Sequence, residues 1–238
     1  FNFYGNYGFN HGKHANHGFI NSYEPGKENQ QKFDSNSKGT SHLAKLGFDF
    51  YIHEKNTFSF YTNQNIANNN NIGSTDVDYA DNTTNQDKLQ LLDSKKNDHS
   101  QTYNFDYKLD FKKPGHNLEL EVNYNQNNNP EDALYTNLNR TTGISSSTNN
   151  QVETLGKNSI INLDYINPLS ETTKLELGLE SRNETTDNSL FKDNAYNSAF
   201  TYDRKLYSAY ATLGKQWKKW SFQAGTRLEQ YNVDALFR

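Results

Sequence analysis

Cysteine and methionine are both absent from this chain. Without cysteine there is no disulfide framework, no thiolate zinc site and no sulfur nucleophile, a pattern compatible with an oxidising compartment. Long apolar runs are missing too. No stretch approaches the roughly 18 residues that a membrane-spanning helix needs, so if this chain crosses a bilayer it does so with strands. Positive charge is also scarce: Lys and Arg number 24 against 28 Asp and Glu, for a net charge of -4, and no basic block is present. That balance excludes a field able to attract nucleic acid and offers no polybasic segment for an anionic surface. Hydrophobic residues make up only 32% and the mean hydropathy is -1.05, an average that by itself would describe a disordered chain. The sequence opens at Phe1 with no export signal, and is read as an internal piece of a longer protein.

What is present contradicts disorder. Phe, Trp and Tyr make up 14% of the chain and fall in strand-like runs. From Thr102 to Phe111, Tyr103, Phe105, Tyr107, Leu109 and Phe111 alternate with Thr102, Asn104, Asp106, Lys108 and Asp110. A period of two puts an apolar row on one face and a polar row on the other. After the turn sequence Lys112-Lys113-Pro114-Gly115, Leu118, Leu120, Val122 and Tyr124 alternate with Asn117, Glu119, Glu121 and Asn123. Further hairpins are expected around turns at His53 to Asn56, at Asn167-Pro168-Leu169-Ser170 and at Lys218-Lys219, and a lone strand from Phe1 to Phe9 opens the chain. About nine strands result.

The connections alternate between turns of a few residues and polar stretches near 10–40, 67–99, 126–155 and 182–203, where Asn-rich composition predicts loops. In an up-and-down antiparallel sheet every second connection lies on the same edge. Short periplasmic turns and long extracellular loops are the habit of transmembrane β-barrels, and strands of about ten residues suit a hydrocarbon core of about 30 Å. The expected fold is therefore all-β: an antiparallel up-and-down transmembrane β-barrel segment in the bacterial outer membrane. A soluble β-sandwich shows the same alternation but has shorter strands and no two-length rhythm of connections. A strand in lipid cannot leave its backbone polar groups unpaired, so residues 1–238 are expected to be part of one larger barrel domain. Trp217 and Trp220 flank a short turn, where an interfacial aromatic girdle belongs.

On this reading Tyr103, Phe105, Tyr107, Leu109, Phe111, Leu118, Leu120, Val122 and Tyr124 face lipid. Asp106, Lys108, Asp110, Glu119, Glu121 and Arg227 line a polar interior. Glu119 and Glu121 invite a glycosidase reading, but they are neighbours on one strand face with no converging nucleophile or pocket. No Ser-His-Asp arrangement, phosphate loop or zinc motif is found, and neither catalysis nor a cofactor is expected. Two clusters carry possible metal ligands: His11, His14 and His17 in an H-x-x-H-x-x-H array, and Asp76, Asp78 and Asp81, whose spacing is similar to that of calcium loops but lacks the glycine and closing glutamate of an EF-hand. A solvated polar loop is the default for both.

Gly47 to Phe60 (GFDFYIHEKNTFSF), Phe1 to Gly18 (FNFYGNYGFNHGKHANHG) and Lys205 to Ala235 (KLYSAYATLGKQWKKWSFQAGTRLEQYNVDA) resemble hairpin regions of TonB-dependent receptor-like barrels of the Bacteroidota type. The resemblance implies a barrel of about 22 strands filled by a plug that lies outside this chain, energised by TonB through that plug, taking up a scarce nutrient from the long loops. It also implies outer-membrane lipid, lipopolysaccharide and a surface lipoprotein as partners. A non-transporting scaffold or assembly barrel, and a soluble glycan-binding sandwich module, stand as the alternatives.

Overall fold

The computed structural model describes residues 1–81 and 85–238. Among them are ten strands and no helix: β1 (Asn2–Glu24), β2 (Lys27–Ile52), β3 (Asn56–Asp81), β4 (Asn85–Asp110), β5 (Asn117–Asn128), β6 (Glu131–Asn139), β7 (Ser145–Ser170), β8 (Thr173–Lys192), β9 (Ala195–Trp217) and β10 (Trp220–Phe237). All pair antiparallel in one sheet, in the order β1-β2-β3-β4-β5-β7-β8-β9-β10. β6 occupies the same position as β5, further along. His99 pairs with Asn128 and Lys96 with Glu131, in one unbroken register against β4, and the same holds against β7. The pair is one strand interrupted at Pro130, which has no N–H to give to a ladder. The sheet is therefore nine strands wide, as the alternating runs imply.

The connections at one end are short. His53 at φ 60° and Gly115 at φ 74° supply the left-handed residues of two of these turns. The turn expected at Asn167 to Ser170 lies slightly later: β7 continues to Ser170 through an irregularity at Pro168, and the chain reverses at Glu171-Thr172. At the other end the expectation of long irregular loops is corrected. The stretches near 10–40, 67–99, 126–155 and 182–203 are mostly strand; of the second, residues 82–84 lie outside the described residues. β2, β3, β4 and β7 each run for 26 residues, about 85 Å of extended chain. β1 and β2 stay paired up to Glu24 opposite Lys27, leaving only Pro25-Gly26 as a turn, with Gly26 at φ 76°; proline followed by a left-handed glycine is the type II pattern. Asp193 and Asn194, both at positive φ, close the β8–β9 hairpin as a primed turn does. The physical reason is that Asn, Ser, Thr and Lys fall on both faces of these stretches. Backbone pairing then extends with no apolar row to announce it.

The two faces of the sheet are opposites. Hydrophobic side chains are exposed: Phe3 is 64%, Leu179 56%, Phe222 60% and Leu228 73% accessible. The buried residues Gly47, Ser94, Asn104, Ala133, Gly178 and Ser208 all fall, by strand alternation, on the other, polar face. Among the described residues, Ala133 is the one buried hydrophobic side chain. The molecule is inside out relative to a soluble protein, in which large apolar side chains fill the interior.

The apolar belt also slides against the hydrogen-bonded rows. The row through Phe50, near the turn end of the belt in β2, continues through Phe58, Tyr107, Leu120, Leu163, Leu179 and Ala209 to Leu228. Leu228 is at the opposite edge of the belt in β10. The slip is roughly one residue per strand, which with about 3.4 Å per residue and about 4.8 Å between strands is a tilt of about 35°. A belt of roughly nine residues per strand is then about 25 Å high, and the strands rise a further 35–40 Å or so beyond it.

Candidate functional site

The polar face carries a belt of charge level with the apolar one. One register row runs Asn2, Asp49, Ser59, Asp106, Glu121, Asn162, Glu180, Ser208, Glu229. The next runs Thr57, Lys108, Glu119, Asp164, Gly178, Tyr210, Arg227. Asp106, Lys108, Glu119, Glu121 and Arg227, singled out in the sequence, lie on this face together, and Asp110 lies on it at the turn end, opposite Asn117. Asp49, Asp164, Glu180, Arg182 and Tyr210 complete the belt. They occupy polar alternate positions of the same runs, so the signal was present once Leu163 or Leu179 had been assigned to the apolar face.

Cross-strand contacts tie the belt together. Lys108 meets Glu119 at 2.6 Å, and Arg227 bridges Glu180 at 2.7 Å and Glu229 at 2.6 Å. Arg182 also meets Glu180, at 2.9 Å. Asn104 donates to Asn123, Asn123 and Asn162 donate to Glu121, and Ser59 donates to Asp49. Tyr210 donates to Asp164 across β8, over Gly178, where a Cβ would overlap the phenol ring. Tyr4 lies over Gly47 in the same way. These glycines are therefore seats for aromatic rings. Asn63, Asn104, Asn117 and Asn158 each keep a buried amide oxygen with no hydrogen-bond partner, and by alternation all four lie on this face. Thr57, Ser59, Asp106, Lys108, Glu119, Glu121 and Asp164 surround a hollow of about 320 Å³. Four carboxylates thus share the hollow with Lys108, which suits the belt to holding water and polar surfaces.

On the apolar face Tyr103, Phe105, Tyr107 and Leu109 stand beside Leu118, Leu120, Val122 and Tyr124, with Tyr103 directly opposite Tyr124 and Phe105 opposite Val122. Phe111 falls just past β4, stacked on His116 at 4.1 Å and edge-on to Tyr165. Trp217 and Trp220 face one another across the last short turn.

Neither candidate metal cluster is assembled. His11, His14 and His17 all lie in β1, where alternation sends His14 to the face opposite its neighbours, and His11 and His17 are about 20 Å apart along the strand. Asp76 and Asp78 share a face of β3 that Asp81 does not. Arg140 meets Asp76 at 2.6 Å and Asp87 at 3.4 Å, so the cation serving this group is a guanidinium. Tyr79 donates to Asp81 at 3.0 Å, and this hydrogen bond, followed by desolvation, raises the phenol pKa. Among the described residues no three His, Asp or Glu side chains lie close enough to share an ion.

An all-antiparallel sheet with a tilted apolar belt on one face and a charged belt on the other has the pattern of a transmembrane β-barrel wall. The model of the outer membrane protein beta-barrel family matches residues 109–238, more than half of the chain. The chain belongs to that family and is a protein of the bacterial outer membrane. No curated protein matches it. Among solved structures, the FrpB iron transporter from Neisseria meningitidis (F5-1 variant, apoprotein form) aligns with 92% of this chain and 59% of that chain, at 8% identity and a TM-score of 0.15. LpxR from Salmonella typhimurium aligns with 79% of this chain and 88% of that chain, at 8% identity and a TM-score of 0.12. At these scores neither likeness bears on function.

Proposed function

We propose that this chain is part of the wall of a TonB-dependent uptake barrel for a scarce nutrient. Tyr103, Phe105, Tyr107, Leu109, Phe111, Leu118, Leu120, Val122 and Tyr124 touch lipid in it, while Asp106, Lys108, Asp110, Glu119, Glu121 and Arg227 face the lumen. The observation that carries the reading is the inverted distribution of side chains: a belt about 25 Å high, the height of the lipid-facing band of outer-membrane barrels, opposite a face of carboxylates, guanidinium groups and unsatisfied amides. Such a face requires water or another polar surface against it. A plug domain is that surface in the receptors this chain resembles, and TonB acts through the plug.

β1 and β10 are paired on one side only. Each unpaired backbone group in hydrocarbon costs several kcal/mol, so further strands are needed to close the sheet; the receptors this chain resembles have about 22. The short turns face the periplasm, and the extended hairpins face outward, where a surface lipoprotein docks. The family is typically not enzymatic, and the polar belt has no catalytic constellation.

The test is made with the full-length gene. Cells in which it is deleted are expected to lose uptake on one of a panel of media limited separately for iron, vitamins, glycans or peptides, and cells lacking TonB are expected to show the same loss. Unchanged uptake on every medium would sink the transport reading and favour a scaffold.

A further inference from the structure

Beyond the apolar belt, the same outward row changes character abruptly. Continuing each strand, it carries His11 and Lys13 in β1, Lys38 in β2, His99 in β4, Lys157 in β7 and Lys205 in β9. Once the slip between strands is allowed for, these residues form a collar at nearly one height. The carboxylates that follow on this face, among them Asp34 in β2, Asp93 in β4, Glu153 in β7, Asp187 in β8, Asp203 in β9 and Asp234 in β10, come level with Lys38 or above it.

Within the collar, Lys13 sits directly opposite Lys38, and Asn70 continues the row on β3. Like charges directly opposed on one face of an antiparallel pair are destabilising. Several other cations of the chain have carboxylate partners: Lys108 has Glu119, Arg140 has Asp76, Arg204 has Glu184 and Arg227 has Glu180. Lys13, Lys38, Lys157 and Lys205 have no ion pair or side-chain hydrogen bond among the described residues. A sheet that places two bare ammonium groups side by side, beside the amides of Asn68 and Asn70, is shaped for an anion that comes from outside the chain.

Height selects which anion. Lys13 is four residues beyond Phe9, at the edge of the belt, or about 10 Å along the membrane normal. The polar layer of a bilayer adds about 5–8 Å on each side of the hydrocarbon, and a lysine stem spans the remaining distance by snorkelling back towards it. We propose that Lys13 and Lys38, flanked by His11 and the Asn68 and Asn70 amides, bind the phosphate groups of a phosphorylated glycolipid of the outer leaflet. This rests on the membrane placement proposed above and not on transport.

The test uses the full-length protein in detergent micelles, titrated with bisphosphorylated lipid A or its dephosphorylated analogue and read by native mass spectrometry. The phosphorylated lipid is expected to bind at least about tenfold more tightly. The double variant Lys13→Gln/Lys38→Gln is expected to lose that preference, whereas Lys218→Gln/Lys219→Gln at the opposite end retains it. In lipid-free detergent the double variant should be no less stable than the wild type, because a repulsion has been removed. Equal binding of the two lipids, or an unaltered preference in the double variant, overturns the proposal. Displacement of the lipid by millimolar inorganic phosphate also overturns it, assigning the site to a soluble anion. Protein that stays monomeric without detergent would instead defeat the barrel reading itself.

Discussion

Leu120 and its neighbours Glu119 and Glu121 show how one strand serves two environments. Leu120 stands in the middle of the apolar belt, opposite Tyr107 and Leu163, while the two glutamates belong to the charged face and pair towards Lys108 and Asn162. Side-chain parity therefore decides the cost of a substitution. Leu120→Arg is expected to cost about 2–4 kcal/mol, the depth-dependent penalty for arginine near a bilayer midplane. Asn123→Arg, three residues away but facing the carboxylate of Glu121, should cost far less. Urea unfolding of the full-length protein in lipid vesicles measures both, and equal penalties would contradict the assignment of the faces.

Strand lengths and the single break in the sheet belong to the level of elements. Asn97 donates to the Pro130 carbonyl at 3.0 Å, and in an antiparallel hydrogen-bonded pair the return bond would come from the N–H at position 130. Pro130→Thr supplies that donor, so β5 and β6 are expected to fuse, with a gain of about 0.5–1.5 kcal/mol and slower hydrogen exchange at Asn97 and Asn129. Unchanged exchange would mean that something other than the missing donor divides the strand. The same elements show what was legible in the sequence. Runs such as Tyr103 to Leu109 were readable because apolar side chains are confined to one face of the strand and polar ones to the other, a period of two. Asn68 to Asn71 lie in β3 with equal regularity but meet polar surroundings on both sides, so no alternation marks them as strand. Pro25-Gly26 and Asp193-Asn194 were the available clues, as tight turns within stretches otherwise read as loop. Candidate sites followed the same rule. The polar belt was half visible because it is the complement of the apolar rows, whereas the His11, His14 and His17 array was misleading because spacing by three converges on a helix and diverges on a strand.

For the whole molecule, the membrane placement proposed above makes belt height, tilt and aromatic placement testable together. Trp217 and Trp220, paired at the short-turn edge of the belt, should be quenched by lipids brominated near the headgroup and much less by lipids brominated at the chain ends. Strong quenching from the bilayer centre would shift the belt or dissolve it. Paired backbone continues well past the belt, so the hairpins are braced by their neighbours over most of their length and do not trail as separate loops. On the orientation proposed above, a stiff rampart of this kind, about 35–40 Å tall, carries the tips at Pro25-Gly26 and Asp193-Asn194 far out from the membrane. An arriving solute, antibody or phage fibre meets the crest of that rampart long before it reaches the membrane.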